Sequence, residues 1–329
     1  MTSSQLWDKA AVLITGGLGF IGSNLAIRLA SMGARVTVVD SLTPEYGGNL
    51  SNIDGYSDRI RVNISDVRDV HSLRYLVQGQ DYLFNLAGQT SHMDSMTDPF
   101  TDLEINCRSQ LSILETCRSH NPKIRLVFAS TRQIYGRPDY LPVDEKHPLR
   151  PVDVNGINKL AGEFYHLLYQ QVYDIPTCVL RLTNTFGPRM RIKDARQTFV
   201  GIWIRRLLEG QPFEVWGGEQ LRDFTYVDDC VDALLLAASH PKAVGKCYNL
   251  GGTQSVSLQT LAEMLVQANG GGELVIKAFP ADRKRIDIGD YYSDDQLIRD
   301  DLGWQPKVSL EQALQRTLAY YRQHIKNYL

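Results

Sequence analysis

Val12-Leu13-Ile14-Thr15-Gly16-Gly17-Leu18-Gly19-Phe20-Ile21-Gly22 is an apolar run that breaks into glycines where a helix should begin. It reads as the βα turn of a nucleotide-binding fold. Gly16 permits the tight turn, Gly19 lets the backbone approach a pyrophosphate, and Gly22 lets helix and strand pack closely, so that phosphates rest on the helix N-terminus beside Phe20 and Ile21. A second strand, Ala34-Arg35-Val36-Thr37-Val38-Val39, ends in Asp40, about twenty residues beyond the glycines, where the ribose-binding acid of a dinucleotide fold stands. A carboxylate there accepts both ribose hydroxyls and repels a 2′-phosphate. The expected cofactor is therefore NAD rather than NADP.

Working outward, the chain has 329 residues, 43% of them hydrophobic, which is enough for a large core in one elaborated domain or two. A net charge of −2 shows no basic excess of the kind that binds nucleic acid. No segment approaches the ~20 apolar residues of a membrane span, and the few residues before the first strand are too short for a secretory leader. Cys107, Cys117, Cys178, Cys230 and Cys247 are scattered and lack metal-type spacing. They read as reduced thiols without a metal site, and the expected location is cytoplasmic.

Short apolar runs recur at Ile60–Ile64, Tyr82-Leu83-Phe84-Asn85-Leu86-Ala87, Arg125-Leu126-Val127-Phe128-Ala129 and Thr177–Leu182, with room for crossover helices between them. This is the pattern of an α/β fold with a Rossmann-type, doubly wound parallel sheet. Residues 42–57, rich in Pro, Gly, Asn and Ser, form the expected loop beside the adenosine. Residues 101–119 and 157–172 read as helices with apolar residues on more than one face, as sheet packing alone or an added helical dimer interface would require. After Asn184 the character changes, with Arg189, Arg191, Lys193 and Arg196 in one loop and Arg283, Lys284 and Arg285 in a later one. The expected division is a Rossmann domain over 1–183 and a smaller, discontinuous substrate domain over 184–329, with segments near 225–255 returning to the first.

Further motifs fall in order on this scaffold: Ser65-Asp66-Val67, Asn85-Leu86-Ala87-Gly88, Ala129-Ser130-Thr131-Arg132-Gln133-Ile134-Tyr135-Gly136, Asn158-Lys159-Leu160-Ala161-Gly162-Glu163, Arg181-Leu182-Thr183-Asn184-Thr185-Phe186-Gly187-Pro188 and Arg222-Asp223-Phe224-Thr225-Tyr226-Val227-Asp228-Asp229. With the glycine turn they make the chain resemble the extended short-chain dehydrogenase/reductases that act on nucleotide sugars, the epimerase/dehydratase family, from about Ala11 to the segment Leu302-Gly303-Trp304-Gln305-Pro306. The resemblance implies that Asp66 and Val67 hold the adenine, that Leu86-Ala87-Gly88 pass beside the ribose and nicotinamide, and that Thr131 offers its hydroxyl to the sugar. It implies that Lys159 binds the nicotinamide ribose and puts a positive charge beside the oxidised ring. Asn184, Arg222 and one of Arg283 or Arg285 would grip the substrate diphosphate, a task suited to planar guanidinium donors. Trp216 and Phe199 either flank the base or belong to the core.

Two departures bear on the reaction. The family places a tyrosine four residues before the lysine to take the proton from a sugar hydroxyl, and here that residue is Asn155, whose amide has no useful basicity. Three explanations compete: another base drawn from Lys159, His92 or Asp94; a sugar bound differently; or binding without turnover. The second departure follows Thr131. Relatives that carry out 4,6-dehydration have an acidic pair, or at least a glutamate, at the positions held here by Arg132 and Gln133, and decarboxylases of sugar uronates tend to keep that glutamate. The leading expectation is an NAD-dependent nucleotide-sugar epimerase working through transient oxidation, C4 favoured, as a homodimer. The alternatives are a nucleotide-sugar dehydratase, decarboxylase or 4-keto reductase, and a catalytically silent NAD- or sugar-nucleotide-binding protein.

Overall fold

The computed structural model describes residues 3–43, 45–280 and 286–329. Twelve strands run through the described residues: β1 (Ala11–Thr15), β2 (Arg35–Asp40), β3 (Ile60–Ile64), β4 (Tyr82–Asn85), β5 (Arg125–Thr131), β6 (Thr177–Leu182), β7 (Asn184–Phe186), β8 (Phe213–Trp216), β9 (Leu221–Tyr226), β10 (Cys247–Asn249), β11 (Ser255–Ser257) and β12 (Leu274–Lys277). Seven of them form one sheet in the order β10-β6-β5-β4-β1-β2-β3, and every pairing in it is parallel. The reversal of order between β1 and β4 opens a crevice at their carboxyl ends, the place where ligands bind in such sheets.

The apolar runs are strands because both faces of this sheet are covered. Alternate side chains point opposite ways. Val12 and Ile14 join the core made with the helices Phe20–Ser31 and Val227–Ser239. Leu13 joins the core on the other face, with Leu73, Ile113, Leu114 and Tyr169 from the helices Val70–Leu76, Ser109–His120 and Val154–Tyr173. The helix expected over 101–119 is interrupted: Pro99–Leu103 and Ser109–His120 are joined by a π turn, Glu104–Arg108, which carries Ile105 and Asn106 into the interior. The residues expected as loop over 42–57 include a single 3-10 turn, Leu50–Ile53.

Beyond Asn184 the chain builds a second core from Trp203, Phe213, Phe224, Leu261, Leu314 and Tyr321. A three-stranded sheet (β11-β9-β7) and the parallel pair β12-β8 flank it, with the helices Phe199–Leu208, Leu258–Asn269 and Leu310–His324. The chain leaves this part once in its middle, where the helix Val227–Ser239 and β10 complete the large sheet, β10 pairing with β6. It leaves again near the end, where Trp304 donates its indole N–H to the Asp229 carbonyl at 2.9 Å and packs into the first core. No helix among the described residues is long and apolar enough to cross a membrane.

Candidate active site

One cleft runs along the carboxyl ends of β1, β2, β4, β5 and β6, and its geometry starts at the glycine turn. Gly16 has φ +66°, and a Cβ on it would stand 2.9 Å from the Ala87 Cα. Gly22 sits so close to the turn that a Cβ would lie 2.2 Å from the Gly16 carbonyl oxygen. Gly19 occupies the N-cap of the helix Phe20–Ser31 and brings no side chain to the first-turn N–H groups. Those donors open into the cleft, as an anion-binding helix terminus requires. Asp40, at the end of β2, lines the same wall and accepts N–H bonds from Leu18 (3.0 Å) and Leu42 (2.9 Å). Burial pushes its carboxyl above the ordinary carboxylate range, against the pull of those bonds. A helix start with no side-chain cap, a glycine cradle and a carboxylate on the same wall make a set that fits a dinucleotide.

At the other end of the cleft, β5 delivers Thr131, whose hydroxyl oxygen accepts the Gln133 N–H at 3.2 Å and keeps its own proton to donate. The helix Val154–Tyr173 turns Asn155 and Lys159, one helical turn apart, toward the same space. Lys159 is 7% exposed and donates to the Ala129 carbonyl (3.1 Å), with its ammonium over the Phe128 ring. Burial pulls its pKa down to about 8, partly offset by the charge of Asp102. Gly88 leaves the space for that ammonium, since a Cβ there would lie 2.9 Å from Lys159 Nζ.

Asn155 is not idle in the tyrosine position. Its amide nitrogen donates to the Gln89 carbonyl (2.8 Å) and to Asp102 (3.0 Å), a buried carboxylate that also accepts from Asn106 (2.9 Å) and Asn158 (2.8 Å). The three amides tie the loop after β4, the π turn and the long helix together beneath the cleft. The π turn is what aims Asn106 at this carboxylate.

His92 lines the cleft beside them, and its Nδ1 lies 3.0 Å from the buried Asp153 carboxylate. The pair has ion-pair distance without the alignment of a full hydrogen bond. Asp153 caps the long helix by accepting the Gly156 N–H (2.7 Å) and also accepts from the Gln133 amide (3.0 Å). Burial works to raise its pKa, but His92, Gly156 and Gln133 together hold it below the ordinary carboxylate range. The result is a buried, ionised carboxylate behind an imidazole that faces the cleft. Asp153 went unremarked in the sequence; an Asp opening a helix is an N-cap signal, but nothing marks it as the partner of a histidine 61 positions earlier.

Gly16, Gly19, Phe20, Ile21, Gly22, Asp40, Asp66, Val67, Leu86, Ala87, Gly88, His92, Thr131, Asn155, Lys159 and Asn184 all line this one cleft. Within the cleft wall, the Asp66 carboxylate is also engaged by Arg68 at 2.7 Å, and that bond lowers its pKa. Other expectations are redirected. Arg222 lies off the cleft, its guanidinium bound to the carbonyls of Leu221 and Gly289 and 3.4 Å from Asp287. Burial brings its pKa down to about 10, with the nearby positive charge of Arg132 adding to the effect. Asp94 lies 3.3 Å from Arg196 Nε and is not among the residues lining the cleft. Arg189 bonds Asn24 and Asn52, and Arg191 pairs with Asp194, so this basic loop braces the fold. Phe199 packs on Trp203 and Phe224, and Trp216 donates to Glu214. Arg283 and Arg285 fall outside the described residues.

The sequence profile described as the NAD dependent epimerase/dehydratase family matches residues 12–251. The UDP-glucose 4-epimerase of Mycolicibacterium smegmatis is 30% identical over 314 residues, covering 94% of this chain and 98% of that protein. UDP-glucuronic acid decarboxylase 1 of Xenopus tropicalis is 32% identical over 330 residues, covering 97% of this chain and 74% of the relative. Among solved structures, the UDP-glucose 4-epimerase of Thermotoga maritima with UDP-glucose superposes with a TM-score of 0.88 at 30% identity, covering 96% of this chain and 99% of that one.

Proposed function

This chain belongs to the NAD-dependent epimerase/dehydratase family, and we propose that it inverts one carbon, C4 favoured, of a nucleotide-diphosphate sugar. NAD, when bound, supplies oxidation of that carbon and the reduction that follows. Gly16, Gly19 and the first turn at Phe20, Ile21 and Gly22 would hold its pyrophosphate, Asp40 its adenosine ribose, Asp66 and Val67 its adenine, and Leu86, Ala87, Gly88 and Lys159 its nicotinamide end. The carboxylate of Asp40 selects against a 2′-phosphate.

The observation that carries epimerisation is the surroundings of Thr131. Gln133 is turned inward onto Asp153 and Arg132 is a cation, so neither neighbour supplies the carboxyl group that dehydration needs for C5 proton removal and C6 hydroxyl departure. Thr131 donates to the sugar hydroxyl. His92 Nε2 takes the proton, and the Asp153 carboxylate orients the ring and stabilises the imidazolium. Lys159 remains a cation at neutral pH and already donates to Ala129, so it serves as fixed positive charge. Asn155 positions the floor of the site through Asp102. Asn184 and Arg222 serve the diphosphate, with Arg222 first released from the Asp287–Gly289 segment.

The molecule works as a homodimer in this reading. Ile157, Phe164, Leu168 and Val172 form one exposed apolar stripe on the long helix, beside Phe100, which is 76% exposed, and Leu103. Five unpaired thiols fit a cytoplasmic location. The experiment is turnover of a panel of UDP-, GDP-, CDP- and dTDP-sugars by the wild type and by His92→Gly. The variant should fall at least a hundredfold in kcat with KM little changed and regain part of the rate with added imidazole. Full activity in the variant removes His92 from the chemistry. Absence of turnover by the wild type on every sugar favours the silent binding protein.

A further inference from the structure

Arg132 follows Thr131 and lines the same cleft, yet its guanidinium has no carboxylate within ion-pair distance among the described residues. Its side-chain contacts are one good hydrogen bond, Nη2 to Asn184 Oδ1 at 2.9 Å, and one long one, Nη1 to Gln133 Oε1 at 3.5 Å. The ring of Tyr291 lies 5.3 Å from its Cζ. A guanidinium carries five N–H donors, and a cation drawn out of water without a counter-charge is costly. The nearby acids are committed elsewhere. Asp223 accepts from Thr183 and Ser293, Asp153 serves Gly156, Gln133 and His92, and Asp287 stands by Arg222. Arg222 adds a second positive charge in this corner; burial works against ionisation of both guanidinium groups, offset at Arg132 by Tyr291 and the more distant Asp223, Asp287 and Asp153, and the charge of Arg132 adds to the effect on Arg222.

Building on the nucleotide-sugar reading, we propose that the sugar carries its own carboxylate and that Arg132 receives it, so that the substrate class is a nucleotide-diphosphate hexuronate or a comparably carboxylated sugar. Neutral sugar hydroxyls are matched by amides and hydroxyls; a fork of parallel N–H groups beside an otherwise apolar ring face matches a carboxylate. The placement favours the sugar over the diphosphate. Arg132 lines the cleft as the chain neighbour of Thr131, about 3.8 Å away at Cα, and Thr131 faces the sugar, whereas the Arg222 guanidinium is held off the cleft by the Leu221 and Gly289 carbonyls.

The test is calorimetric binding of UDP, UDP-glucose and UDP-glucuronate to the NAD-bound protein, wild type and Arg132→Gln, with NAD content and thermal midpoint confirming that the variant is folded. The wild type should hold UDP-glucuronate at least tenfold more tightly than UDP-glucose. Arg132→Gln should erase that difference while leaving UDP and UDP-glucose unchanged, and Arg132→Lys should keep part of it. Equal weakening of all three ligands would place Arg132 on the diphosphate and overturn the proposal. So would a wild type that prefers UDP-glucose, a result that needs no variant. If neither UDP nor either sugar nucleotide binds, the nucleotide-sugar reading falls in its UDP form and takes this proposal with it; binding without discrimination overturns the carboxylate alone.

Discussion

Replacing Lys159 by methionine should stabilise the NAD-free protein at neutral pH while abolishing its activity. The side chain is 7% exposed, and burial brings its pKa from an ordinary 10.5 to about 8. At about 1.4 kcal/mol per pKa unit, holding the ammonium charged in the fold costs about 3 kcal/mol below pH 8. Between pH 8 and 10.5 the unfolded chain still carries a proton that the folded chain has released, so wild-type stability gains as pH rises through that window. Methionine of similar length has no such dependence. Urea unfolding of both proteins, stripped of NAD, should show the advantage of the variant shrinking by about 2 kcal/mol between pH 7 and roughly 9.5. Taking the difference between the two proteins cancels every titrating group that is not coupled to Lys159, and the coupled ones are a carboxylate, Asp102, and His166, which burial brings down to about 4, well below this window. Turnover should be lost and NAD occupancy reduced, because the charge that destabilises the empty fold is the one placed at the nicotinamide end. A stability difference that stays flat with pH would refute the desolvated ammonium, and a variant that retains wild-type turnover would refute its role.

Asp153→Asn and Asp153→Ala separate the two tasks of that carboxylate. Asparagine still caps the helix at Gly156, so its melting midpoint should stay near wild type while kcat falls roughly 10–100-fold; alanine should lose about 1–2 kcal/mol more stability, with the Gln133 amide left without its acceptor. Asp40→Asn should narrow the preference for NAD over NADP, read by fluorescence titration of each dinucleotide, and an unchanged preference would show that Asp40 is not at the ribose. Phe164→Asp, in the middle of the exposed stripe, should convert a dimer to a monomer by light scattering; a wild type that is already monomeric would rule out that surface as an interface.

The parallel sheet was legible because its strands, buried on both faces, read as continuous apolar runs, and because Gly16 and Gly22 stand where backbone contacts admit nothing larger. Their spacing from Asp40 led to NAD, the cofactor of the family to which the chain belongs. What sequence spacing could not show depends on contacts between distant segments. The π turn at Glu104–Arg108 adds one residue to a turn without disturbing the apolar pattern, so 101–119 looks like one helix. His92 stood out as a polar residue near the sugar end, but its partner Asp153 arrives from the start of another helix. Asn155 read as the loss of a base because the amides and the carboxylate it joins, Gln89 and Asp102, come from elements 66 and 53 positions away. Arg222 sits in the expected motif, yet the segment 287–291, bridged to it at Tyr291, holds its guanidinium on the Gly289 carbonyl and away from the cleft.

Incubating the protein with the panel of nucleotide sugars in deuterated water, and following each ring proton by NMR, tests epimerisation most directly. Inversion of a single carbinol carbon, C4 favoured, with no deuterium on that carbon is the predicted result, because oxidation and reduction return the same hydrogen. Deuterium on the inverted carbon would point to an enolate route, and a keto-deoxy product would contradict the reading of Arg132 and Gln133 as neighbours unable to support dehydration. Sugars that all emerge unchanged would contradict the epimerase itself.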